Sequence, residues 1–84
     1  MSIPLAHTTL ADLSDSESAT IVDLDGDARQ RQRLGEMGMT PGCSIRVVRS
    51  APLGDPCVVE LRNFRVALRR GASRHVIVTR EARA

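Results

Sequence analysis

Apolar and polar positions alternate with period two in short segments along most of the chain, and only one stretch follows a helical period. ATIVDLD, Ala19 to Asp25, carries β-branched Thr20, Ile21 and Val22 and predicts a first strand. Asp27 and Gln30 then stand at capping-box spacing, so a short helix is expected from Ala28 to Met37, with Gly38 ending it in the left-handed region. Leu34 and Met37 form its inward stripe with Ala28 assisting, and Arg29, Gln30 and Arg33 face outward.

Ser44 to Arg49 gives a second strand with Ile45 and Val47 on one face. Cys57 to Arg62 gives a third, on which Cys57, Val59 and Leu61 alternate with Val58, Glu60 and Arg62. Arg62-Asn63 suits a tight turn, Asn63 tolerating positive φ, and a fourth strand follows from Phe64 to Arg69 with Phe64, Val66 and Leu68 inward. After a turn at Gly71-Ala72-Ser73, Val76 and Val78 mark a fifth strand ending near Thr79. Leu10 and Leu13 are one helical turn apart and are placed to clip a lead-in against the core. The fold class expected is mainly β: a small closed barrel of about five strands with one short α-helix between the first and second. It occupies residues 10–80, between a loose tail at 1–9 and a second at 81–84.

Composition narrows the functional classes. Phe64 is the only aromatic residue, so no platform for stacking nucleobases or lining a polyproline groove is expected. No apolar run approaches the roughly 20 residues that span a bilayer, and the start of the chain has neither a basic nor a continuous apolar segment. A cytoplasmic location is the expectation. The net charge is +2, yet residues 1–27 hold six acids and no base while residues 28–84 hold all twelve arginines against Glu36, Asp55, Glu60 and Glu81. A basic body of this kind is a candidate docking surface for acidic partners.

Candidate chemistry is sparse. Asp23, Asp25 and Asp27 around Gly26 miss the calcium-loop pattern, since the glycine falls fourth and Leu34 takes the place of the bidentate glutamate. His7 and His75 lack neighbours at ligand spacing, and Cys43 and Cys57 form no CxxC pair, so both thiols are expected reduced and no metal site is assigned. GEMG lacks the phosphate-loop spacing, and no nucleophile has an identifiable base. A non-enzymatic role without catalytic residues or cofactor is expected. The segment Ala51-Pro52-Leu53-Gly54-Asp55-Pro56 draws the most interest, because its prolines preorder a loop with apolar Leu53 at the tip.

RLGEMGMTPG (33–42), IRVVRSAPLGDP (45–56) and the two alternating strands up to Leu68-Arg69-Arg70 together resemble the FeoA family of bacterial ferrous iron uptake, over roughly Leu10 to Thr79. Asn63 stands where that family commonly has Gly, and Cys43 and Cys57 where it has small or aliphatic residues. The resemblance implies an SH3-like β-barrel that acts with FeoB, a membrane permease carrying a cytosolic GTPase domain. Partner contacts are then expected at Arg33, Glu36, Met39 and Leu53. The competing readings are a regulatory module associated with a metal-dependent repressor or nucleic acid, and direct sensing of a transition metal such as Fe²⁺.

Overall fold

The computed structural model describes residues 8–80. A 3₁₀ turn at Leu10–Asp12 leads into β1 (Ser18–Leu24), α1 (Ala28–Glu36), β2 (Ser44–Ser50), a second 3₁₀ turn at Pro52–Gly54, β3 (Cys57–Leu61), β4 (Phe64–Leu68), α2 (Arg70–Ser73) and β5 (Val76–Arg80). The strands form one antiparallel sheet in the order β4-β3-β2-β1-β5. Five strands and a helix between the first two are therefore present, but the ladder does not close into a barrel. The reason lies between β4 and β5, where the expected Gly71–Ser73 turn is a helical turn that carries the chain to the far edge of the sheet.

Two irregularities bend the sheet. The β1–β5 register shifts between Ile21 and Asp23, and the β2–β3 register between Val47 and Arg49. An inserted residue turns the side chains beyond it to the other face and coils the strand. In β1 this leaves Val22 and Asp23 both exposed and brings Leu24 back toward the core face. Cross-strand order on the outer face is more regular: Glu60 lies beside Arg46 and Arg65 in the ladder, bonding Arg46 Nη2 at 2.9 Å and approaching Arg65 Nε at 3.5 Å. The two edges are finished differently. Thr9 bridges Ile77 and the Thr8 carbonyl accepts from the Val78 N–H, so the lead-in covers part of β5, and these two residues of the expected 1–9 tail are tied to the sheet. Residues 1–7 and 81–84 of the two expected tails lie outside the described residues.

The buried cluster comprises Leu10, Leu13, Ala19, Ile21, Leu34, Met39, Ile45, Val47, Cys57, Val59, Leu61, Leu68, Val76 and Val78. It contains the expected inward set except Met37 and Val66, which are half-buried against it, and Phe64, which is exposed; Leu10 packs as the lead-in spacing suggested. Ala28 is exposed instead of assisting, because it opens the helix beyond the sheet's cover. Phe64 is 45% exposed although its register opposite buried Leu61 puts it on the core face. It occupies the last rung, beyond the packed layer, and a Cβ on Gly38 would come within 3.4 Å of its ring. The β3–β4 reversal places Arg62, not Asn63, at positive φ (52°).

The exit from α1 explains the largest departure, the burial of Met39. Asp27 caps the start: the Gln30 N–H donates to its carboxylate at 2.8 Å and the Asp27 N–H to Gln30 Oε1 at 3.0 Å. At the other end Gly38, at φ 94°, lets the Gly38 N–H reach the Gly35 carbonyl (2.9 Å) and the Met39 N–H the Leu34 carbonyl (3.0 Å). These two bonds make a Schellman closure, whose geometry sets the residue after the glycine against the one five positions earlier. Met39 and Leu34 are accordingly buried together, with Met39 fully enclosed.

Two measurements follow from this packing. Met39→Ala is expected to lower the unfolding free energy by about 2–5 kcal/mol in urea titrations, as truncation of a buried methionine does. A loss below about 1 kcal/mol would contradict the enclosure. Glu17 sits below the usual carboxylate range because the Ser14 N–H and then Arg80 bond its charged form, and Glu60 does so chiefly through Arg46. A depressed carboxylate contributes stability above its unfolded value of about 4.3 that is lost as pH falls through the lower folded value. The melting temperature should thus be flat near neutrality and fall below about pH 4.3. In Glu17→Gln/Glu60→Gln the acid-side fall should be shallower, and an unchanged slope would contradict the assignment.

Candidate functional surface

α2 is a single helical turn, and it divides two surface features that the chain brings together from distant segments. On one side stands the Pro52–Gly54 turn. Pro52 restricts its own φ, and the Ala51 N–H bonds the Pro56 carbonyl at 2.9 Å across the base. Leu53 takes φ 64° and ψ 15°, a conformation in which an apolar residue is uncommon, and its side chain is 88% exposed. Arg70, the first residue of α2, holds the turn at two points. Its guanidinium donates to the Leu53 carbonyl at 3.1 Å, and its backbone N–H donates to Asp55 Oδ1 at 3.2 Å. The tip is thus anchored by backbone and carboxylate contacts that leave the leucine side chain unused.

On the other side of α2 a groove of about 600 Å³ runs between α1 and the end of β4. Its floor includes Leu34, Met37 and Leu68, and its rim carries Arg33, Arg69 and Arg74. His75 also borders it, with Nδ1 buried and without a hydrogen-bond partner among the described residues.

A third feature lies at the start of β2, where Cys43 is half-buried beside Thr40 and Arg62. Its Sγ is 3.1 Å from Thr40 Oγ1 and 3.6 Å from Arg62 Nη2. The Thr40 contact, followed by that of Arg62, favours the thiolate and lowers the thiol's pKa, whereas burial raises that of Cys57. Among the described residues no three His, Cys, Asp or Glu side chains come together in a group that could hold a metal ion. Nor is any described helix long and apolar enough to cross a membrane.

The four contact residues expected from the sequence separate. Leu53 is presented at the tip and Arg33 stands on the rim of the groove. Glu36 is exposed on α1, where Gln32 Nε2 donates to it at 3.4 Å, and it does not line the groove. Met39 is withdrawn from the surface altogether by the closure at Gly38 and cannot serve as a contact. Sequence reasoning missed Arg69 and Arg74. Their signal was present in the basic excess of residues 28–84, but only α2 shows that these two side chains meet Arg33 across one groove.

Three comparisons with known proteins bear on this surface. A family model described as the FeoA domain matches residues 8–80. The chain is similar to the Fe(2+) transport protein A/Fe(2+) transporter FeoB fusion protein of Porphyromonas gingivalis (strain ATCC BAA-308 / W83), at 39% identity over 61 residues. That match takes in 73% of this chain but only 7% of the much longer fusion protein. Among solved structures it is similar to Stenotrophomonas maltophilia FeoA complexed with zinc, a procaryotic SH3 domain protein, at 32% identity and a TM-score of 0.78, covering 92% of this chain and 99% of that one. A manganese-dependent transcriptional repressor in complex with manganese also superposes, with a TM-score of 0.83 over 94% of this chain and 38% of that chain. Its identity is 16%, so the likeness concerns the fold alone.

The contrast between the two thiols gives a direct chemical check. At pH near 7.5, iodoacetamide is expected to label Cys43 at least about tenfold faster than Cys57 in the folded protein, because the thiolate is the reactive form. Arg62→Ala should slow labelling of Cys43. Equal rates at the two cysteines would contradict the geometry.

Proposed function

Because the chain belongs to the FeoA family, linked to ferrous iron transport, we propose that it is a non-enzymatic accessory which docks from the cytoplasm on the cytosolic region of a FeoB-type transporter and modulates Fe²⁺ transport. The observation that carries this reading is the Leu53 tip. A large apolar side chain held 88% exposed by contacts from Arg70 and Asp55 does nothing for the domain's own core. An anchored loop loses little conformational freedom on binding, and so its apolar contact converts efficiently into affinity. The fusion of an iron transport protein A segment with a FeoB transporter in the Porphyromonas gingivalis relative supports the choice of partner, since fused modules act at high effective concentration. Arg33, on the rim of the groove, and Glu36, exposed on α1, serve as secondary contacts, and Met39 is replaced in that role by Met37, which borders the groove.

Calorimetric titration of the full chain into the transporter's isolated cytosolic region tests the proposal. Leu53→Asp is expected to weaken binding by about tenfold or more, which is about 1.4 kcal/mol. Its stability should stay within about 1 kcal/mol of the parent, because Asp enters the left-handed region more readily than Leu. Binding equal to that of the parent protein, or no binding by the parent protein, would overturn the docking reading.

A further inference from the structure

We propose that the groove between α1 and α2 receives an acidic peptide segment of a partner protein, which seats an apolar side chain against Met37 and Ala72, over Leu34 and Leu68, and sets carboxylates against Arg33, Arg69 and Arg74. The proposal deepens the docking reading, on which it rests only for the source of the segment.

Charge complementarity carries the argument. Elsewhere most arginines of the described residues find partners: Arg46 and Arg65 meet Glu60, Arg80 meets Glu17, Arg31 and Arg70 bond backbone carbonyls, and Arg62 approaches Cys43, while Arg29 and Arg49 are exposed and lie outside the groove. Arg33, Arg69 and Arg74 make no ion pair and no side-chain hydrogen bond among the described residues, and no carboxylate lines the groove they share. Three like charges converging unpaired repel one another, and an anionic occupant removes that repulsion while gaining bidentate contacts.

The floor decides which anion fits. Leu34 and Leu68 belong to the core and are only 3% exposed, so the accessible apolar surface of the groove comes from half-buried Met37 and Ala72 and exposed Ala67 around them. A volume of about 600 Å³ is ample for apolar side chains of a peptide, whose removal from water favours binding. Free phosphate leaves such a floor wet. No Phe, Tyr or Trp lines the groove, so a nucleic acid strand finds there none of the large aromatic platforms on which successive bases stack; His75 is the one ring on its border. The backbone adds a further point in favour of a peptide. Among the described residues β4 pairs with β3 alone, and Ala67 and Leu68, which side-chain alternation sends to opposite faces, both border the groove at that strand's end. Its outer edge offers main-chain donors and acceptors to an extended segment, as in strand addition.

Chemical-shift titration of the ¹⁵N-labelled full chain provides the test, with a short synthetic peptide of alternating Glu and Leu as probe and its Lys/Leu counterpart as control. Shifts are expected at Leu34, Gly71 and Ala72 with the Glu/Leu peptide alone. The dissociation constant should rise about tenfold or more in Arg69→Glu/Arg74→Glu and remain unchanged in Leu53→Asp. The proposal is overturned by absence of binding, by equal binding of the Lys/Leu peptide, by indifference to the arginine substitutions, or by the same shifts with inorganic phosphate or a DNA duplex. Self-association of the chain that is abolished in the double variant would assign the groove to a second copy and overturn it as well. Titration with the transporter's cytosolic region separates the two readings. If that region binds the parent and the double variant equally, the groove proposal falls and docking stands. If it fails to bind while the Glu/Leu peptide seats, docking falls and the groove proposal stands.

Discussion

The left-handed turn at Gly38 is the constraint on which the rest of the domain depends. Its positive φ lets two backbone bonds close the end of α1, and the closure drives Met39 beneath the sheet against Leu34. A side chain at Gly38 would meet a conformational penalty of about 1–2 kcal/mol, although its Cβ would stand at ordinary contact distance from the ring of Phe64. With the helix end fixed in this way, the outward face of α1 has one orientation. That orientation sets Arg33 and Met37 opposite the end of β4 and so creates a groove rather than a flat surface.

The same economy is visible at α2. Between Leu68 and Val76 a two-residue hairpin would have set β5 beside β4. The helical turn at Arg70–Ser73 instead sends β5 to the opposite edge beside β1. It also supplies the two ends of the functional surface from adjacent residues: Arg70 grips the loop that presents Leu53, and Arg69 turns to the groove. A device only one turn long therefore settles both the topology and the spacing of the contacts. The surface it organises is apolar at two points and cationic around one of them. Such a surface suits recognition of another protein.

Much of this was legible in the chain because period-two alternation and capping are local properties. Asp27 and Gln30 announced the start of α1, Gly38 its end, and Ile45, Val47, Val59 and Leu61 the face of each strand that packs inward. What stayed hidden depends on three-dimensional closure. Alternation along β4 puts Phe64 on the core face correctly but cannot tell that the last rung lacks cover. The bulge at Val22 breaks the alternation of β1 without any glycine or proline to mark it. Met39 is a different case, for the Schellman pattern places an apolar residue after the glycine in contact with the helix, and Leu34 was there to receive it. The hydrogen bonds of the helix end, and not the residue's place outside the helix, govern its exposure. Among the contact candidates, Leu53 could be singled out because prolines bracket it, while Arg69 and Arg74 gained meaning only once α2 brought them across from Arg33.

The central claim is that the two features flanking α2 form one docking surface. Hydrogen–deuterium exchange of the full chain, alone and with the transporter's cytosolic region, addresses it without any substitution. Protection is expected in peptides covering Ala51–Asp55 and Arg69–Arg74 together with α1, and none at Asp23–Asp27 or around Cys43. Protection confined to those latter segments, with the surroundings of α2 exchanging as in the free protein, would contradict the account.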